Sequence, residues 1–231
     1  MAVHGGRTPY DEAGALTGPA RVLVAEDLVA TAVPGDLWDV ITPKADVSGE
    51  YPAKTGWRDI GLASDAPSYV HGGTTAGLTY QQPTGELFTA VSEVTRNFTL
   101  NMAEFIKENL QLMENTSQET AVAEGAADSG ESAGVKIPIG LYTDLRIVRV
   151  CMVTFRPVGS EVVDEGGGVT RPPAVALIIP RAQLAISDKT VSPDKGNPTS
   201  VSIELTAKSE PTAAAGAEHG YWFIETAGTL P

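Results

Sequence analysis

Apolar residues recur at helical spacing in only one prominent stretch of this 231-residue chain, and the rest of its patterned sequence has the period of strands. The change of period happens inside residues 91–113. Val94, Phe98, Leu100 and Met102 alternate with Glu93, Thr95, Asn97, Thr99 and Asn101, which is the pattern of a strand with one wet face. From Met102 the spacing lengthens. Met102, Phe105, Ile106, Leu110 and Met113 fall on one helical stripe, and Glu104, Lys107, Glu108, Gln111 and Glu114 on the other. This predicts a helix near residues 103–114 that follows the strand directly and packs through the first stripe. So short a helix does not persist in water on propensity alone and needs a sheet beneath it.

The other patterned runs read as strands. In SVSIELTAK, Val201, Ile203, Leu205 and Ala207 alternate with polar residues, as in a half-buried strand. LRIVRVCMVTF (145–155), AVALIIPRAQLAI (174–186) and GYWFIETAG (220–228) are apolar at both parities, which predicts strands covered on both faces by a second layer or a partner chain. Pro180 within the second run predicts an edge position or a bulge. Turn residues recur every few positions between Asp36 and Gly77. Residues 1–35 read as an extended arm holding one edge strand within RVLVAEDLVATAV, and 36–231 as a single domain. Two weakly apolar segments, 115–134 and 158–173, read as long loops. The fold class is mainly β: a sandwich or barrel with one flanking α-helix and long loops.

The sequence offers little catalytic vocabulary. His4, His71 and His219 are scattered, no metal-ligand spacing occurs, and neither a nucleophile elbow nor a phosphate-binding loop is present. Glu104 and Glu108, one helical turn apart, read as a solvated face with Lys107 between them. The one cysteine, Cys151, sits in an apolar run and reads as a small buried hydrophobe. These observations predict no enzyme, no cofactor and no metal. A formal charge of −13 argues against an electrostatic grip on nucleic acid, which needs clustered Lys and Arg. No apolar run is long enough to span a membrane, and the first residues lack the pattern of a secretory signal, so a cytoplasm-like compartment is expected.

YPAKTGWRDIGLASDAPSYVHGG, followed after an alternating stretch by EVTRNFTLNMAEFIKENLQLM, resembles the major tail tube proteins of long-tailed bacteriophages, especially those infecting actinobacteria. Gly56, Trp57, Asp59 and Gly61 carry the motif, and the strand feeding a helix, a small-residue loop and the strands near IIPRAQLA and VSIELTAK extend the likeness from about Asp36 to the C-terminus. The resemblance implies a virion protein assembled in the host cytoplasm, whose copies form stacked hexameric rings around a hollow tube. It implies a tape-measure protein inside, terminator or tip proteins at the ends, and DNA passing without specific binding. On that reading the acidity keeps sliding DNA from adhering, and the wet strand face of Glu93, Thr95, Asn97, Thr99 and Asn101 is the candidate lumen surface, with the solvent-facing outer wall as its competing place. Two alternatives stand beside it: another virion component of β fold, such as a tail terminator or capsid decoration protein, and a carbohydrate- or ligand-binding module using Trp57 and Trp222 as exposed platforms.

Overall fold

The computed structural model describes residues 20–45, 51–61, 67–79, 86–102, 106–123, 133–139, 145–155, 162–166, 169–185, 201–226 and 228–229. The chain is mainly β. In order it forms β1 (Arg21–Ala25), β2 (Arg58–Asp59), β3 (Ser68–Thr79), β4 (Glu86–Met102), α1 (Lys107–Met113), β5 (Thr120–Val122) and β6 (Gly134–Lys136). There follow β7 (Ile147–Phe155), β8 (Val163–Gly166), β9 (Val169–Arg171), β10 (Ala174–Leu184), β11 (Val201–Ala207), β12 (Tyr221–Ile224) and β13 (Gly228–Thr229). Where the sequence reads as one domain from Asp36 onward, the chain divides into two compact units. The first comprises the described residues of Met1–Gly61, Ile147–Ala182 and Lys208–Pro231, and the second those of Leu62–Arg146 and Gln183–Ala207.

In the first unit the strand order is β2-β1-β7-β10, with β12 also paired to β10. β1 is antiparallel to both neighbours, Leu23 lying opposite Asp59 on one side and Cys151 on the other. It is therefore an interior strand, and Val22 to Ala25 are all buried. The arm expected over residues 1–35 does not include it: a run of four apolar residues gains more from burial on both faces than an edge offers. One face of this sheet is covered by residues from 36–41 and 51–57. Asp36 caps a 3-10 turn, Leu37–Asp39, by accepting a hydrogen bond from the Trp38 N–H at 2.8 Å. That turn delivers Leu37, Val40 and Ile41, with Trp57, onto Leu23, Ala25, Cys151, Val153, Ala174, Ala176 and Ile178.

The opposite parity, Val22, Val24, Val148 and Val150, is buried too, so the chain itself covers both faces of β1 and β7 as their composition predicts. β12 differs from its expectation. Tyr221 and Phe223 pack against the core, but Trp222 and Ile224, opposite Leu177 and Val175, face outward. The ladder to β12 stops at Ile178, two residues before Pro180. The segment 158–173, read as a loop, contains β8 and β9, which join β13 in a three-stranded sheet. Likewise 115–134 contributes β5 and the start of β6, which pair with each other.

In the second unit the order is β11-β4-β3, all antiparallel. The expected alternation holds: Leu100 lies opposite Ile203 and Phe98 opposite Leu205, and all four are fully buried. The helix is shorter than the sequence suggests. Ile106 has extended dihedrals (φ −85°, ψ 158°), so α1 spans seven residues and buries Asn109, Leu112 and Met113. Of the predicted packing face, Met113 is buried in the helix, Leu110 is half-buried, Met102 is buried as the last residue of β4, Ile106 is exposed before the helix, and Phe105 lies outside the described residues. A later start rotates the inward face to the 109, 112, 113 stripe. The C-terminus closes with the Thr116 N–H donating to Gln111 O and the Asn115 N–H to Leu112 O, Asn115 taking φ +55°. That is the Schellman arrangement, with Asn in the left-handed position.

An interior β1 makes a prediction that an arm would not. Leu23→Ala should cost about 2–5 kcal/mol in urea denaturation. A loss below about 0.5 kcal/mol, the scale of ordinary surface changes, would return β1 to the status of a detachable segment.

Candidate functional site

The wet face of β4 forms a continuous polar surface with its neighbours. Register sets Asn101 beside Ser202, Thr99 between Glu204 and Ser68, Asn97 between Thr206 and Val70, and Thr95 beside Gly72. Thr95, Asn97, Thr99 and Asn101 thus share one sheet face, and the backbone of Glu93, opposite Thr74, continues the series. Asn97 is committed to the sheet: its Nδ2 donates to Glu204, and its Oδ1 accepts from Thr206 Oγ1 at 3.3 Å. Among the described side chains of these three strands, this face carries hydroxyls, amides and the Glu204 carboxylate, with no Lys or Arg. It can hold water and lacks the cations that retain a phosphate backbone.

The apolar parity of β4 leaves the core partway along the strand. β11 accompanies β4 only from Met102 to Asn97, and beyond that point β3 and β4 pair with no third strand among the described residues. Phe98, Leu100 and Met102 are buried, whereas Val94, on the same parity, is 43% exposed. On the other face Val70 is 55% exposed. A two-stranded ribbon on its own is at best marginally stable in water.

The GWRDIG motif is a packing device in the first unit. Gly56 takes φ +89°, and a Cβ there would come within 2.4 Å of Thr31 Oγ1, so only glycine fits. Trp57 and Ile60 enter the core on either side of β2. Asp59 forms an ion pair with Arg21, and its Oδ1 also accepts the Gly61 N–H at 2.9 Å. Because Trp57 is buried, it cannot serve as the ligand platform that the binding-module alternative requires; Trp222 stays half-exposed.

The tightest polar cluster was invisible in the sequence. Arg171, at the end of β9, is buried among the rings of Trp38, Tyr51 and Phe155, each 5.3–5.5 Å from its guanidinium carbon. Its Nε donates to Glu165 Oε1 at 2.8 Å, its Nη1 to Glu225 and to Pro172 O, and its Nη2 to Glu225 Oε1 at 2.8 Å and to Pro43 O. All five N–H groups have acceptors, so nothing in the guanidinium is left for a ligand. The carboxylates are held in turn, Glu225 by the Ala174 N–H and Glu165 by the Tyr51 hydroxyl at 2.7 Å. Burial, and after it the bond donated to Glu165, push the Tyr51 phenol well above its ordinary range, so it remains a donor. A second buried cation, Arg149, ties the 28–31 turn by donating to Leu28 O and Thr31 O and sits 3.5 Å from Glu210.

Little local marks Arg171, since Glu225 lies 54 residues and Pro43 128 residues along the chain. Among the described residues no three His, Cys, Asp or Glu side chains gather as a metal site. Glu108 is half-buried beside Lys107, whose shorter contact is to Glu119 at 3.0 Å, and Glu104 lies outside the described residues.

Removing one partner of a buried ion cluster leaves an unbalanced charge. Arg171→Met should therefore cost about 3–5 kcal/mol in chemical denaturation, from the two stranded carboxylates. A loss under about 1 kcal/mol would mean that the cluster does not organise this unit.

No protein-family model matches the chain, and no curated protein matches it.

Proposed function

We propose that this chain is the building block of a phage tail tube: identical copies form stacked rings, hexameric on the family resemblance, around a channel for DNA. A tape-measure protein would lie inside, with terminator or tip proteins at the ends. The observation that carries the reading is the β3–β4 ribbon, which runs past β11, with Val94 exposed just beyond the last β11 pair and Val70 exposed on the opposite face at that pair. Such a ribbon gains stability when a neighbouring subunit covers it, and a closed ring supplies that cover to every copy.

The polar face of β4 suits the channel. A surface of Thr, Asn and Ser side chains with a carboxylate wets easily and offers a phosphate backbone no cation, while a net charge of −13 per subunit repels it. Passage without adhesion is what a conduit requires. The same polarity would also suit an outer wall, so the assignment to the lumen is tested separately.

Purified chain, concentrated and imaged by electron microscopy, should form hollow tubes of uniform diameter. Persistent monomers across the accessible concentration range would remove the reading, and rings that never stack would point instead to a tail terminator. In assembled tails, Glu93→Lys should slow DNA ejection by adding a cation to the channel. Unchanged ejection kinetics would take Glu93 off the lumen surface.

A further inference from the structure

Copies carrying a net charge of −13 repel one another, so a stable contact between them belongs where carboxylates are absent. The sheet edges differ sharply in this respect. β2, at one edge of its sheet, is two residues long, and both are charged: Arg58 and Asp59. Short, charged edges are the usual protection against strand addition. β3 is the opposite kind of edge. It is twelve residues long, pairs only with β4 among the described residues, and lies within a run from Ala66 to Gly85 that holds no Asp, Glu, Lys or Arg. No proline interrupts the strand.

β12 is the second unprotected edge. Its four residues, Tyr221–Ile224, are uncharged, and among the described residues it pairs only with β10. The acid that follows, Glu225, is turned inward onto Arg171 and is buried. Trp222 and Ile224 are 49% and 62% exposed on its outer face, and Val70 on β3 is exposed in the same way. Each edge therefore offers unpaired backbone groups beside apolar side chains, with no carboxylate to repel another copy.

We propose that β3 of one copy adds to β12 of the next, with Trp222 and Ile224 of one covering Val70 of the other. Two different edges meeting head to tail give a ring when the rotation between copies closes and an open filament when it does not, whereas one edge meeting itself gives a closed pair. This inference rests on the tube reading and specifies its lateral contact. Main-chain hydrogen bonds would supply the affinity and the apolar side chains the register.

The test uses the full chain. Val70→Lys and Trp222→Lys, each placing a charge on one edge, should keep the parent's circular dichroism and melting temperature while raising the concentration needed for assembly about tenfold or more. In a second measurement, Val70→Cys and Trp222→Cys proteins, one of them carrying a mass tag, are mixed, assembled and treated with a short bis-maleimide. Cys151 does not compete, because it is buried and its thiol is pushed up to about 12. The expected product joins one protein of each kind. Lysine variants that assemble at the parental concentration, or assembled mixtures lacking the mixed product, would overturn the edge pairing while leaving the tube reading in place. Cross-linking of Val70→Cys only to itself would replace the head-to-tail contact with a self-paired edge. A parent chain that never assembles removes the tube reading, and this contact with it.

Discussion

The first unit depends on one buried guanidinium. Arg171, the last residue of β9, lies where β8, the residue after β12 and Pro43 converge, and it reaches them through Glu165, Glu225 and the Pro43 carbonyl. Burying a cation with two carboxylates is expensive, and the expense is offset only when every remaining donor and acceptor is matched. Here the five N–H groups are matched, Glu225 accepts the Ala174 N–H, and Tyr51 stacks on Phe155 at 4.5 Å while donating to Glu165. Such a cluster tolerates one arrangement of its strands. It fixes where β12 leaves the core, and so which of its side chains face outward.

Much of the fold was legible because periodicity reports burial directly. The alternation in β11 and in the core part of β4 became buried cross-strand pairs, and the two-parity runs of β7 and β10 became strands covered on both faces. What escaped was long-range. β1 reads as an isolated apolar patch in a Gly- and Pro-rich stretch, and only its pairing with Asp59 and Cys151, 36 and 128 residues onward, makes it interior. Segments low in apolar residues read as loops because a strand held by one charged anchor, as β9 is by Arg171, has no hydrophobic period to detect. The helix reads as starting one turn too early because Ile106 satisfies a helical stripe in sequence while its backbone remains extended.

The candidate site was legible to the same degree and for the same reason. That Thr95, Asn97, Thr99 and Asn101 share a face follows from strand parity, which needs no tertiary information. That Asn97 is held by Glu204 and Thr206, and so belongs to the sheet as much as to the surface, does not. Nor could the sequence separate Trp57 from Trp222. Trp57 sits in the polar run KTGWRDI and Trp222 in the apolar run YWFI, yet Trp57 is the one fixed inward, by the turn at Gly56, while Trp222 occupies the outward parity of β12.

Acidity and uncharged edges are complementary parts of one device. A chain with long bare edges and no net charge would pair at many registers and precipitate. In this chain several acids have partners within the fold, Glu165 and Glu225 with Arg171, Asp59 with Arg21 and Glu204 with Asn97, while the net charge of −13 opposes contact between copies. Association is then favourable only where both surfaces lack carboxylates and both have backbone to pair. On the proposed reading, repulsion over most of the surface selects the contact as much as the contact's own affinity does, since specificity is a difference between the intended pairing and all others. On that reading a subunit would stay dispersed while dilute and assemble in one geometry when concentrated, as a tube of identical parts demands.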